Sequence, residues 1–209
     1  MRREEKVDRY EDALGSYLVR LTAKELDDKE TRESAKCLSC LGNLERVSDH
    51  AVNLAELAQE LAEKQVSFSQ QAEQELQVCI AAVQEITLLT RAALAENDLE
   101  KARQVEPLEE VIDALTKELK ARHIQRVQEG RCTLELGFVF NDCVNNFERV
   151  ADHCSNIAIA LLEADDPRLR SHEYLRMYQE ERRDEYQKQL LICADKYYDV
   201  LFEEKHALP

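Results

Sequence analysis

The chain has 209 residues, 44% of them apolar, enough for one large or two small packed units. With 43 acidic against 28 basic side chains and a formal charge of −15, it opposes contact with a nucleic-acid backbone and favours cations as ligands. The start Met1-Arg2-Arg3-Glu4-Glu5 lacks the apolar core of a signal peptide, and no continuous apolar run reaches the roughly 20 residues that span a bilayer, so no membrane insertion by this segment is expected.

Only four glycines and three prolines interrupt runs rich in Glu, Leu, Ala, Lys, Arg and Gln, the good helix formers. Apolar residues recur at helical spacing through six segments: 4–26, 30–64, 70–96, 98–129, 132–164 and 171–205. Asp27 and Asp28 stand before the second, Ser67 and Ser69 before the third, and Asn97, with Glu100 three residues on, before the fourth; all are N-cap types. Gly130 and Pro167 stand where the fourth and fifth should stop. Leu44, Val47, Ala51, Leu54, Ala58 and Leu61 form one apolar stripe, and Phe147, Val150, Cys154, Ile157 and Leu161 form its counterpart.

Those two stripes belong to an internal repeat. Residues 45–54 read ERVSDHAVNL and residues 148–157 read ERVADHCSNI, so Glu, Arg, Val, Asp, His and Asn recur in register at an offset of 103. Upstream, Glu4 and Asp8 parallel Glu109 and Asp113 at an offset of 105. The reading is an all-α chain of two tandem three-helix bundles, residues 1–97 and 98–209.

At about 100° per residue, Glu148, Asp152 and Asn156 project as one line on their helix, as do Glu45, Asp49 and Asn53 on theirs. Each line lies opposite its apolar stripe, so both are expected to face outward. Like charges four residues apart oppose helix formation by about 0.2–0.5 kcal/mol per pair and call for a cation or a basic side chain. Carboxylate-rich sites suit hard metals, and a nearby imidazole would admit zinc. Most such pairs are merely solvated; their recurrence in both halves is what argues for a site. His50 and His153 point about 100° away from the acid lines, which favours a hydrogen-bonding or interhelical role. Arg46 and Arg149 are placed to pair with neighbouring acids.

Seven cysteines, Cys37, Cys40, Cys79, Cys132, Cys143, Cys154 and Cys193, are odd in number and scattered, which predicts a reducing cytoplasm. Cys37 and Cys40 form a single Cys-x-x-Cys on a helical stretch, read as ordinary core or surface thiols.

The repeated ERVSDH and ERVADHCSNIA resemble the signature of the PhoU family, and DRYEDALGSYL with VEPLEEVIDAL resembles the PhoU-like cytoplasmic domain of bacterial sodium/phosphate cotransporter-family proteins. The resemblance implies a non-enzymatic regulator of phosphate uptake and homeostasis at the inner face of the membrane, within a longer membrane protein. It implies metal ions (Fe, Zn, Mn or Mg) held by Glu4 with Asp8, Glu45 with Asp49, Glu109 with Asp113, and Glu148 with Asp152. The implied partner is the membrane portion of a phosphate transporter, in cis or in trans, and homo-oligomers are compatible with it. The alternatives are a freestanding PhoU-type negative regulator, a helical interaction module without metal, and a dimetal carboxylate oxidase. The last has little support, because Glu203 to His206 is the sole Glu-x-x-His and has no partner.

Overall fold

The computed structural model describes residues 4–165 and 183–203, and every regular element among them is helical. They are α1 (Glu4–Thr22), α2 (Asp28–Lys64), α3 (Gln70–Glu96), the short α4 (Leu99–Arg103), α5 (Val105–Gln128), α6 (Leu134–Asp165) and α7 (Arg183–Glu203). The all-helical expectation holds, with six long helices close to the six expected segments. Pro167, and His206 of the Glu203–His206 motif that bore on the oxidase reading, lie outside what is described.

The punctuation mostly acts as its chemistry dictates. Asp27 accepts from the Glu30 amide at 2.7 Å while Glu30 accepts from the Asp27 amide at 2.9 Å, a reciprocal capping box at the start of α2. Ser69 caps α3 by accepting from the Ala72 amide at 3.3 Å. Asn97 differs from expectation. It takes left-handed backbone, φ 51°, and closes α3, while Asp98 caps α4. Gly130, at φ 68°, follows the end of α5, where the absence of a Cβ makes that conformation cheap.

The core lies mainly between α3, α5 and α6, with α7 against α5 and α3. Fully buried Ile86, Leu108, Ile112, Leu115, Leu119, Phe140, Val144, Ile157 and Leu161 fill it. Beneath this packing the Glu75 carboxylate, 2% exposed, pairs with Arg126 at 2.7 Å. Lys196 and the Tyr197 hydroxyl both donate to Glu85 and tie α7 to α3.

Packing does not follow the boundary expected at residue 97. Among the described residues, α3 contacts α4, α5, α6 and α7 and packs on neither α1 nor α2. The second unit therefore begins with α3. The first consists of α1 lying on α2, which in turn makes an extensive contact with α6. The 103-residue offset located the repeat correctly but said nothing of which unit the intervening helix joins.

α3 is also long and apolar enough to cross a membrane, with an 18-residue window of mean hydropathy 1.5. No uninterrupted apolar run marks it in the sequence. Nine of its residues are buried against the bundle, which accounts for its composition as a core helix.

Candidate functional site

The joint between the repeats is built from the motif's histidines and the asparagines just upstream of it. Asn43 and Asn146, like His50 and His153, are related by the 103-residue offset. Across the α2–α6 contact, His50 Nδ1 donates to Asn146 Oδ1 at 2.8 Å, and His153 Nδ1 donates to Asn43 Oδ1 at 2.9 Å. Each asparagine amide donates one turn back along its own helix, to the carbonyls of Ser39 and Asp142. The oxygen acceptors are thereby oriented, and each imidazole keeps its proton on Nδ1. The histidines do join helices as expected, and they turn away from the acids.

The acid lines are not outward. Glu45, Asp49, Glu148 and Asp152 are all half-buried, because α1 packs over the first line and α5 over the second. A helix with several neighbours has a buried arc wide enough that a line opposite its main stripe still meets another helix. In the first unit, ligand atoms of Glu4, Asp8 and Asp49 come within 4.8 Å of one another. Glu45 joins them: burial, followed by the charge of Asp49 and a hydrogen bond with it, pushes its carboxyl above the usual range. The Glu4–Asp8 pair at the end of α1 is thus part of the cluster.

In the second unit, Glu109 and Asp113 of α5 face Glu148 and Asp152 of α6. Burial, then the charges of Glu106, Asp152, Asp113 and Glu110, raise Glu109 to about 8. Asp152 is also raised, mainly by burial. Two members were missed in the sequence. Glu106 accepts from the Ser155 hydroxyl at 2.5 Å, and Glu110 accepts from the Tyr186 hydroxyl of α7 at 2.6 Å. Their signal was present in VEPLEEVID: Glu106, Glu109, Glu110 and Asp113 fall at i, i+3, i+4 and i+7, one helix face.

The two clusters differ in counter-charge. Lys117 reaches Asp113 at 2.5 Å, Lys120 reaches Glu148 at 2.6 Å, and Arg149 reaches Asp152 at 3.2 Å. At the 105-residue offset, Asp12 and Gly15 stand where the second unit has Lys117 and Lys120. The second cluster carries two lysines that the first lacks, while Arg46 stands by Glu45 as its counterpart Arg149 stands by Asp152. The first is therefore the less neutralised of the two. Its all-carboxylate donor set fits a hard metal, and with His50 held toward Asn146 it offers no imidazole to favour zinc.

Cys37 is exposed and Cys40 buried, and burial first, then nearby Cys37, raises the Cys40 thiol to about 11. Neither feature marks a reactive pair.

Such a molecule is an internally repeated helical protein with one carboxylate cluster per repeat. It belongs to the PhoU family: the PhoU domain matches residues 1–58 and 80–161, and its second stretch begins inside α3, the helix that packing assigns to α5 and α6. The phosphate-specific transport system accessory protein PhoU homolog 1 of Thermotoga maritima is 27% identical over 129 residues, 62% of this chain and 55% of that protein. A PhoU homolog of the same description from Deinococcus radiodurans is 24% identical over 135 residues, 62% of this chain and 60% of that one. The chain thus spans little more than half the length of these relatives. The crystal structure of PhoU from Pseudomonas aeruginosa shares the fold, with a TM-score of 0.72, 20% identity and 77% of each chain covered.

Proposed function

We propose that this chain is a PhoU-type regulatory module of phosphate transport, acting on a separate transporter and carrying a cation at the α1–α2 carboxylate site. The observation behind the cation is the convergence of Glu4, Asp8 and Asp49, with Glu45 beside them and no lysine at the positions of Lys117 and Lys120. Magnesium, manganese or iron suits this donor set better than zinc. Glu4, Asp8, Glu45 and Asp49 would hold the ion, which would supply positive charge where like charges now crowd. Glu109, Asp113, Glu148 and Asp152 form a weaker site that a metal enters only by displacing lysines.

The relatives named above are accessory proteins of phosphate transport, which favours the freestanding regulator over a domain fused to a sodium-coupled cotransporter. Its partner is then a transporter component at the inner face of the membrane, met in trans. The role is regulatory and not catalytic. Phosphate uptake in cells deleted for their own accessory protein tests it. Expression of this chain is expected to lower uptake several-fold, and Asp8→Asn with Asp49→Asn is expected to abolish the effect. Uptake unchanged by the wild-type chain would contradict the proposal.

A further inference from the structure

Two loops at one end of the bundle, 65–69 between α2 and α3 and 129–133 between α5 and α6, border a cavity of about 340 Å³. Two helices begin at its wall. Ser69 accepts from the Ala72 amide at 3.3 Å at the start of α3, and Thr133 accepts from the Leu136 amide at 3.3 Å at the start of α6. All four of these residues line the cavity. The first amides of a helix have no acceptor within it, and its dipole puts partial positive charge at that end. Here two such ends, of helices 27 and 32 residues long, share one space. Arg131 adds a full charge to the wall, with its Nε donating to Glu129 at 2.7 Å. The cavity is thus a local positive site on a chain of formal charge −15.

Cys132 lies in this wall, half-buried, with its Sγ 3.6 Å from Nε2 of His123. The histidine is 4% exposed and stacks on Phe140 with ring centroids 4.1 Å apart. Arg126 Nη2 approaches its Nδ1 at 3.2 Å; a guanidinium only donates, so Nδ1 accepts and the ring proton sits on Nε2. Burial, followed by the charge of Arg126, brings the imidazole down to about 4, so it stays neutral and that N–H stays in place. His123 is therefore a fixed donor to sulfur and not a base, its one lone pair being engaged by Arg126. The other thiols are set differently. Burial pushes Cys40 and Cys143 up to about 11 and Cys79 up to about 12, while Cys37 is exposed but lies inside α2.

We propose that Cys132 is a modification site that takes a small anionic disulfide of the glutathione class, its carboxylates held at the paired helix starts, and becomes a mixed disulfide. Cys132 gives its proton to solvent, and the thiolate attacks one sulfur of the disulfide. That S–S bond breaks, and its electron pair leaves on the second sulfur, which takes up a proton as a thiol. Cys132 is oxidised and half of the disulfide is reduced, so no other oxidant is required. The site stands apart from the carboxylate clusters, and its failure would show in thiol chemistry and not in metal content.

Reduced protein in chelator is treated in parallel with oxidised glutathione, neutral bis(hydroxyethyl) disulfide and cationic cystamine, and peptide mapping by mass follows each cysteine. Expected is one glutathione per chain, on Cys132, formed about tenfold faster than on the exposed Cys37 of the same molecule. At Cys132 the rates should fall in the order anionic, neutral, cationic, the reverse of what the net charge of −15 would impose. Arg131→Ser should slow the glutathione reaction several-fold and leave the neutral disulfide unaffected. In urea, Cys132 and Cys37 should react alike. The assignment is overturned by Cys37 keeping pace with Cys132 in the folded chain, by cystamine outpacing oxidised glutathione at Cys132, or by a preference for Cys132 that persists in urea.

Discussion

His50 and His153 stack with ring centroids 5.6 Å apart and planes 24° apart, each held by an asparagine from the other's helix. Two residues at equivalent positions of a repeat thus meet across a local two-fold axis between α2 and α6. The motif's histidines, with the asparagines two residues upstream of it, make the joint, leaving its carboxylates to face α1 and α5.

The joint makes stability sensitive to acid. Burial, then the positive potential of His50 and Arg46, holds His153 below its ordinary 6.5. The folded state then binds fewer protons than the unfolded one, so this contribution is fully present above pH 6.5 and is lost as pH falls below it. His153→Gln should unfold less readily than wild type, relative to their difference at pH 8, as pH drops from 7 to 5. Parallel thermal melts of the two proteins across that range check this.

Glu109 acts in the opposite sense. With its folded value near 8 against an ordinary 4.5, its contribution is complete below pH 4.5 and is lost as pH rises toward 8. Glu109→Gln should therefore raise the melting temperature at pH 8.5 by a few degrees, the shift that about 1 kcal/mol produces in a chain of this size. At pH 4.5 the two proteins should melt together. A variant that melts lower at pH 8.5 would mean that the carboxylate is held by a cation.

The lysines of the second cluster account for the asymmetry between the sites. Replacing Lys117 and Lys120 with methionine removes the charges next to Asp113 and Glu148. Titration calorimetry with a divalent ion should then count about two sites per chain where the wild type has about one.

The core should show the same imbalance between the units. Phe140→Ala, at a fully buried position of α6, is expected to cost about 3–5 kcal/mol. Removing Arg126 leaves the buried Glu75 charge only Arg122, at 3.6 Å, with an expected cost of about 3 kcal/mol. Leu14→Ala on α1 should cost under 1 kcal/mol in the folding of a single chain, because half of that side chain is already in water. Urea denaturation of the three variants at low protein concentration gives the comparison.

Helix positions were legible because composition and 3.6-residue periodicity act within one segment, and the repeat was legible because the Glu-Arg-Val-x-Asp-His motif must sit identically on both sides of a two-fold joint. The partner of α3 was not legible. Its apolar stripe would serve α1–α2 or α5–α6 equally well, and only packing selects the latter. The outward placement of the acid lines failed for a related reason: one stripe per helix was assumed, whereas α6 packs against α2, α3 and α5 at once. Asn97 was misread because asparagine suits both a helix start and the left-handed residue that ends one.

Metal content distinguishes the two carboxylate clusters. Protein purified without an affinity tag, loaded with manganese and dialysed, should retain about one ion per chain. Glu148→Gln with Asp152→Asn should retain as much, and Asp8→Asn with Asp49→Asn should retain none. Equal content in all three proteins, or loss only with the Glu148 and Asp152 changes, would contradict the assignment of the cation to α1 and α2.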